Sequence, residues 1–432
     1  MRRLTVGVAA LVVVFGLAGR RGTAAVLGDV LQTFHIPLPD SGYDGYGDRF
    51  GMPVVPLGNS MVLVGAMQAG GIGNAYLFDA VTGATLHTFV NPNSRVGDGF
   101  GYTIATMGDR VLIGAPMGAY GNPGGSGAVY LFTHNTSQDW DSWTLSHTFS
   151  GPAGANFGAV AVVGGDFLIG ASGDHAGHPG GAAYLYDGST YALLHTFNNP
   201  NATARDGFGS AIAGSGSTVI IGAPGTQSQN GAVYKYDSLI LSGSRAGSSG
   251  QLLGDSVALA GNNVLAGASY DHSAGNQGGA VYLLDGSTPS LNEVKKYNNP
   301  HQGVGYSGYG ARFGSTVAAN GNTILASAPW DDAAGPGTPG ACYLLDSATG
   351  NPLWTGYGEP SPPTVYPGDN YGHGPSFMGD NILVGAVYAD SPGHPNAGAA
   401  FLVQGVPEPS TFALLATGAI GLMGWAWRRR KA

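Results

Sequence analysis

One unit recurs seven times in this 432-residue chain, and no other feature restricts its fold as strongly. Six copies open with an aromatic–glycine pair and one with the degenerate pair Leu253-Gly254. Each continues to an apolar run that usually ends in Gly-Ala, and crosses a glycine-rich loop to a third run such as "GAVYLF". Most copies end in a fourth run similar to "LHTF". The openings lie 45 to 60 residues apart, at Phe50-Gly51, Phe100-Gly101, Phe157-Gly158, Phe208-Gly209, Leu253-Gly254, Phe313-Gly314 and Tyr371-Gly372.

The four runs of each unit are short and rich in β-branched and aromatic residues, and turn-forming residues join them. Four strands repeating at this period are typical of the blades of a β-propeller. A content of 43% hydrophobic residues argues against disorder, and the absence of a Gly-X-Y period excludes collagen. The sequence therefore predicts an all-β fold, a seven-bladed β-propeller made of four-stranded blades.

The seventh copy lacks a fourth run, and a matching segment precedes the first copy. "LQTF" at 31–34 has the pattern of the "LHTF" runs, whereas copy seven continues from "AFLVQG" directly into a hydrophobic tail. We expect residues 30–35 to pair with the third strand of blade seven and close the ring, because closure removes exposed sheet edges. An unrelated edge strand is the alternative. On this prediction the propeller spans residues 30–405.

The repeat resembles the FG-GAP family, the propeller repeat of integrin α-subunits and of many bacterial surface proteins. The resemblance rests on Phe-Gly, then Gly-Ala-Pro, then "GAVYLF", in seven copies in register. Kelch repeats share a similar period and a Gly-Gly pair but not the Gly-Ala-Pro element, and a single "DSATGNPLW" segment is similar to quinoprotein propellers. The FG-GAP resemblance implies D-x-D-x-D-G calcium loops between first and second strands. Only tight turns such as Gly165-Asp166 stand there, with fewer oxygens than calcium prefers.

The first 25 residues have the composition of a targeting segment rather than of a propeller blade. Arg2-Arg3 precedes a mostly apolar run that extends to Ala18, which predicts a signal peptide at 1–25 with cleavage near Ala24 or Ala25. A signal peptide implies that the chain is exported.

The last 27 residues, 406–432, have three parts. These are the Pro-Glu-Pro triplet Pro407, Glu408 and Pro409, seventeen uncharged residues at 411–427, and the basic residues Arg428, Arg429, Arg430 and Lys431. This order resembles the PEP-CTERM sorting signal of Gram-negative bacteria that make exopolysaccharide. The resemblance implies processing by an exosortase, and sorting to the outer envelope, cell surface or extracellular matrix. Seventeen residues form a helix of roughly 25 Å, at the short end for spanning a bilayer, so we expect a hydrophobic helix that anchors transiently in the inner membrane. A plain tail anchor is the alternative.

The charge of the predicted propeller excludes one class of partner. Eight of the 17 Lys and Arg and one of the 26 Asp and Glu lie in the two terminal segments, so 9 basic and 25 acidic residues remain. A surface with a formal charge of −16 lacks the basic footprint that nucleic acid requires. Cations, or neutral and basic surfaces, are the compatible partners.

Aspartates recur in two sets of loops that a propeller brings to one face: the loops that lead into the first strands, and the loops between second and third strands. Such loops on a rigid scaffold are where binding residues collect. The alternative is turn chemistry, because Asp beside Gly hydrogen-bonds nearby backbone N–H groups. Asp40, Asp44 and Asp48 form the densest cluster for a cation, and Ca²⁺ is a possible cofactor. The candidate residues are Asp40, Asp44, Asp48, Asp98, Asp174, Asp206, Asp271, Asp331, Asp332, Asp369 and Asp390, with His175, His178, His272, His301, His373 and His394 on the same side.

Signatures of catalysis are missing from the sequence, which contains no G-x-S-x-G, P-loop or H-E-x-x-H motif. The lone cysteine, Cys342, stands in an apolar run and is expected to be a small core residue. We therefore expect a non-catalytic interaction or adhesion module, associated with extracellular polysaccharide or with a surface protein. The alternatives are an extracellular glycan-active enzyme with an Asp-based site, and a passive coat protein.

Overall fold

The computed structural model of the protein describes residues 27–37, 47–116, 125–135, 139–174, 178–201, 205–248, 250–272, 278–301, 310–332, 340–357, 370–390 and 396–405. These residues form seven four-stranded antiparallel sheets arranged as a propeller. The predicted fold class is confirmed. The predicted signal peptide and the predicted C-terminal hydrophobic helix lie outside the described residues.

Six blades are built from consecutive strands, and the seventh combines the last three strands with the first. The strands, blade by blade, are β2 (Phe50–Leu57), β3 (Met61–Ala66), β4 (Asn74–Asp79) and β5 (Thr85–Val90); β6 (Thr103–Met107), β7 (Arg110–Ala115), β8 (Ala128–His134) and β9 (Trp143–Ser150); β10 (Phe157–Val163), β11 (Asp166–Ala171), β12 (Ala182–Tyr186) and β13 (Leu193–Asn198); β14 (Ala211–Ser215), β15 (Thr218–Ala223), β16 (Ala232–Asp237) and β17 (Ile240–Ala246); β18 (Leu253–Ala260), β19 (Asn263–Ala268), β20 (Ala280–Leu284) and β21 (Glu293–Asn298); β22 (Val317–Asn320), β23 (Thr323–Ala328), β24 (Ala341–Asp346) and β25 (Pro352–Tyr357); and β26 (Tyr371–Met378), β27 (Asn381–Ala386), β28 (Ala399–Val403) and β1 (Val30–His35).

Helical structure among the described residues is limited to a 3₁₀ turn at Ala69–Gly71 and one short turn at Thr226–Gln229. In this part of the chain, no helix has the length and apolar character needed to cross a membrane.

The ring is closed by β1, as the sequence predicts. β1 pairs antiparallel with β28, and Phe34 stands opposite Ala400 in the ladder. The Phe34 side chain is fully buried and its ring centroid lies 5.3 Å from that of Phe78 in blade one. The borrowed strand therefore completes blade seven and also packs against blade one.

Among the described residues, backbone hydrogen bonds join neighbouring blades at the opening pair in five of the seven joints. The N–H of Phe208, which leads into blade four, donates to the carbonyl of Gly180, just before the third strand of blade three (2.8 Å). The same bond recurs around the ring, including the closing joint. The other pairs are Phe50 to Ala397 (3.3 Å), Phe157 to Ser126 (3.1 Å), Leu253 to Asn230 (3.1 Å) and Phe313 to Gly278 (3.0 Å).

Two glycines meet across most of these joints. The glycine of the second-strand Gly-Ala element lies so close to the carbonyl of the next blade's aromatic–glycine pair that a Cβ would overlap that oxygen. At the joint between blades six and seven the second-strand residue is Ser327 instead. The two glycine motifs of the sequence are therefore the two sides of one contact. The pairs are Gly65 with Gly101, Gly114 with Gly158, Gly170 with Gly209, Gly222 with Gly254, Gly267 with Gly314, and Gly385 with Gly51.

The residue before each aromatic has a left-handed backbone in all seven blades, with φ between +48° and +69°. Two of these residues are glycines, and five carry side chains that normally disfavour this region. The same backbone conformation therefore leads into every first strand, although the residue type at this position differs from blade to blade. The residues are Arg49, Gly99, Asn156, Gly207, Leu252, Arg312 and Asn370.

The core consists of the apolar layers between neighbouring blades. The opening aromatic of a blade packs on the tyrosine of its third strand, as in Phe100 with Tyr130, whose ring centroids are 5.6 Å apart. Cys342 is fully buried on β24, as expected, and burial raises the pKa of its thiol to about 12. Its thiol is therefore an unreactive packing group.

The joint between blades predicts a difference between two neighbouring glycines. Gly209→Ala is expected to lower the free energy of unfolding by about 4 kcal/mol or more, because φ is +90° and the new Cβ would collide with the Ala182 carbonyl. Gly207→Ala also has a positive φ, but its new Cβ would have no atom nearer than 3.8 Å, so about 1–2 kcal/mol is expected. Urea unfolding of both variants measures the difference. Equal losses would contradict the close-approach argument.

Because β1 closes the ring, substitution of a buried residue on this N-terminal strand is expected to have a large effect on the stability of the protein. Phe34→Ala removes a fully buried ring at the seam and is expected to lower the free energy of unfolding by about 3–5 kcal/mol. Leu31→Ala, on the same strand but 39% exposed, is the control and should change it by less than about 0.5 kcal/mol. Thermal and urea unfolding of the two variants would show no such contrast if β1 were a dispensable edge strand.

Candidate functional site

The loops leading into first strands and the loops between second and third strands lie at one end of the ring, here called the loop face. The described candidate aspartates belong to these loops, but most of their carboxylates do not reach solvent. Asp48, Asp98, Asp174, Asp206, Asp271 and Asp331 are at most 4% exposed, whereas Asp332 is half-buried and Asp390 is exposed. Asp40, Asp44 and Asp369 lie outside the described residues, as do His175 and His394.

Asp331 shows what a buried carboxylate does on this face. Its Oδ2 accepts hydrogen bonds from the Tyr343 hydroxyl (2.8 Å) and the Asn299 amide (2.7 Å). Its Oδ1 lies 2.9 Å from Nδ1 of His301. Tyr343 belongs to the same blade, whereas Asn299 and His301 follow the fourth strand of the preceding blade. The carboxylate therefore fixes a loop to its own sheet and to the neighbouring one.

The same arrangement recurs in other blades. Asp271 accepts from the Tyr282 hydroxyl (2.5 Å), the Gln251 amide (2.7 Å) and the Lys296 ammonium (2.8 Å). Asp174 accepts from the hydroxyl of Tyr184. Burial and the neighbouring carboxylates raise the pKa of both tyrosines well above its usual range, so they remain neutral donors.

Three asparagines that the sequence analysis did not single out complete this network. Asn91, Asn199 and Asn299 follow fourth strands, and each side-chain oxygen accepts the N–H two residues later at 2.9 to 3.0 Å. Each amide then donates to a carboxylate of the next blade: Asn91 to Asp98 (3.4 Å), Asn199 to Asp206 (2.8 Å) and Asn299 to Asp331. These asparagines could have been recognised from the sequence by the Asn-Pro dipeptide in "LHTFVNP" and "LHTFNNP".

A second set of aspartates, at the opposite end of the ring, forms turns. Asp187 Oδ1 accepts from the backbone N–H groups of Ser189 (2.9 Å) and Thr190 (2.6 Å) and from their hydroxyls. These hydrogen bonds lower the pKa of Asp187 to about 2. Asp79, Asp285 and Asp346 make equivalent turns. These four aspartates are not among the candidates, so they do not test the turn-chemistry alternative for the loop face.

One group of metal-ligand side chains occurs within the described ranges: His301, Asp331 and Asp332, whose ligand atoms lie within 4.8 Å of one another. His301 Nδ1 is 3.8 Å from Asp332 Oδ1. The group offers one nitrogen and two carboxylates, and one of these already accepts two hydrogen bonds. That donor set does not match the six or more oxygens of a calcium site; it matches a hydrogen bond between His301 Nδ1 and Asp331 Oδ1. Calcium binding by Asp40, Asp44 and Asp48 stays a prediction.

Two basic side chains, Arg312 and His373, have distinctive surroundings. The Arg312 guanidinium lies 4.9 Å from the ring centroid of Tyr270 and 5.2 Å from that of Trp330, within cation–π range. Burial and the nearby charge of Arg49 lower the pKa of His373 to about 4, so its imidazole is neutral at physiological pH. Neither feature is readable from the sequence, because each depends on residues of adjacent blades.

A cleft of about 330 Å³ opens beside the outer strands of blade two. Asn93, Arg95 and Asp98, from the loop between blades one and two, form one wall. Tyr130 on β8 and Thr148 on β9 form the other. The lining is mainly polar and carries both hydrogen-bond donors and acceptors.

The buried network predicts a contrast between two tyrosines at equivalent positions. Tyr343→Phe removes one of two donors to Asp331 Oδ2 and is expected to lower the free energy of unfolding by about 1.5–3 kcal/mol. Tyr130→Phe removes a hydroxyl that bonds no other described residue, so a change below about 0.5 kcal/mol is expected. Urea unfolding tests both, and a larger loss for Tyr130→Phe would contradict this account.

Comparison with known families agrees with both resemblances seen in the sequence. The FG-GAP repeat family matches residues 88–132, 199–236 and 308–345, which fall in blades two, four and six with the loops leading into them. The PEP-CTERM protein-sorting motif matches residues 405–431. No curated protein matches the chain. The chain is therefore a seven-bladed β-propeller that contains three segments matching the FG-GAP repeat and a C-terminal PEP-CTERM sorting motif.

Proposed function

We propose that the propeller is a non-catalytic interaction module, exported and sorted to the outer envelope, cell surface or extracellular matrix of a Gram-negative bacterium. The PEP-CTERM motif at 405–431 implies an exported substrate of an exosortase. On this proposal residues 1–25 direct export, and the uncharged segment at 411–427 holds the chain transiently in the inner membrane until processing. The partner is an extracellular polysaccharide or a surface protein.

The observation that carries the interaction role is the way the loop face is anchored. Buried carboxylates such as Asp271 and Asp331 fix the bases of the loops to the sheets, so the described part of the face is a rigid platform. Binding residues collect in loops held on such platforms. The negative charge of the ring disfavours polyanions, so a neutral glycan or a basic protein surface is the expected contact.

Sorting by the C-terminal motif is tested by substitution. Replacing Pro407, Glu408 and Pro409 together by alanine is expected to leave the protein cell-associated and unprocessed in its native host. The control is Ser410→Ala, next to the triplet. Immunoblots of the cell and extracellular fractions follow both forms. Wild-type processing of the triple variant would contradict the sorting role.

The interaction role is tested with the processed protein from the extracellular fraction. We expect it to retain exopolysaccharide or a surface protein of the host in a pull-down, without releasing reducing ends from the polysaccharide. Release of reducing ends would support the glycan-active enzyme instead. Absence of any retained partner would support the passive coat.

A further inference from the structure

We propose that the cleft beside blade two binds one sugar unit of a neutral extracellular glycan, through Tyr130, Asp98 and Arg95. This inference rests on the proposed interaction role and names the site and the ligand class for it. It comes from comparing the blades with one another.

Six third strands carry a tyrosine at the same position of the repeat. The fourth-strand residues opposite them are Thr88, Thr148, Thr196, Ser244, Lys296 and Thr355 for Tyr76, Tyr130, Tyr184, Tyr234, Tyr282 and Tyr343. Five of the six hydroxyls bond a side chain of the protein. The partners are Asn74 for Tyr76 (3.2 Å), Asp174 for Tyr184, Asn201 for Tyr234 (2.7 Å), Asp271 for Tyr282 (2.5 Å) and Asp331 for Tyr343 (2.8 Å).

Tyr130 is the exception. Its side chain is 4% exposed, yet its hydroxyl has no hydrogen-bond partner within the described ranges, and it lies at the wall of the cleft. In blades three, five and six the partner is an aspartate three residues after the second strand, and blade two has Gly118 at that position. Among the described residues, this hydroxyl is therefore available to bond a ligand in the cleft, where its counterparts in five other blades bond a side chain of the protein.

The other polar groups of the cleft suit a hydroxyl-rich ligand. Asp98 has one oxygen held by Asn91, and it lines the cleft. The Arg95 guanidinium has no ion-pair or hydrogen-bond partner in the described part of the chain. A carboxylate acceptor, a guanidinium donor and hydroxyls such as that of Thr148 together match sugar hydroxyl groups, each of which donates and accepts.

The charge and the volume of the cleft restrict the class of ligand further. Arg95 and Asp98 balance each other locally, so neither an anion nor a cation gains a net attraction from the cleft itself. The formal charge of −16 on the ring then disfavours a uronic-acid polymer. A volume of about 330 Å³ is at the small end of ligand pockets, which suits one sugar unit of a longer chain.

The test is a titration of the full processed protein with dextran, mannan and galactan oligosaccharides, and with polygalacturonate oligosaccharides as the anionic counterpart. We expect at least one neutral oligosaccharide to bind. Tyr130→Phe and Asp98→Asn should each weaken that binding roughly tenfold. Tyr76→Phe, at the same repeat position but bonded to Asn74 and outside the cleft, should leave it unchanged.

The outcomes separate this inference from the proposed function. If neutral oligosaccharides bind equally to wild type, Tyr130→Phe and Asp98→Asn, the cleft is not the site, although the interaction role stands. Preference for polygalacturonate overturns the neutral class. If the panel fails to bind while the pull-down still retains a surface protein, the glycan site is wrong and the module is a protein binder. Failure of both the panel and the pull-down overturns the interaction role itself.

Discussion

The contact of two backbones at each joint between blades is the constraint on which the rest of the ring depends. At six joints a second-strand glycine faces the carbonyl of the next blade's aromatic–glycine pair, at a separation that excludes any Cβ. This approach brings the apolar faces of neighbouring sheets together, so that rings such as Phe208 and Phe313 are fully buried. Glycine at these joints is therefore a requirement of packing.

Polar contacts fix the positions of the loops, which the apolar layers between the blades do not. A carboxylate such as Asp331 receives donors from two blades at once, so each loop base is held by a neighbour as well as by its own sheet. Most of these carboxylates are buried, so they contribute to the formal charge of −16 without being exposed on the described surface. The loop face is less acidic in this part of the chain than its composition suggests.

The fold was predictable because its determinants are periodic in the sequence. Aromatic–glycine openings, apolar runs and the "LQTF" segment define seven blades and the closing strand without any knowledge of contacts. The burial of Asp174, Asp271 and Asp331 was not predictable, because it depends on tyrosines, glutamine, lysine and asparagine supplied by other strands. The left-handed residue before each aromatic was equally invisible, since glycine, arginine, leucine and asparagine all occupy it. The unbonded hydroxyl of Tyr130 could be recognised only by comparison with the bonded tyrosines of the other blades.

The seam at blade seven has a mechanical consequence. The backbone of Gln404, two residues before the sorting segment, exchanges hydrogen bonds with Gly28 and Asp29 on the opposite end of the chain (2.8 Å each). Tension applied through the tail of a tethered molecule would enter the ring at β28, which is flanked by β27 and β1. Both ladders would then be sheared in parallel, sharing the load that a single ladder would otherwise bear. Pairing with β1 would therefore increase the force needed to pull β28 out of the ring through the C-terminal segment.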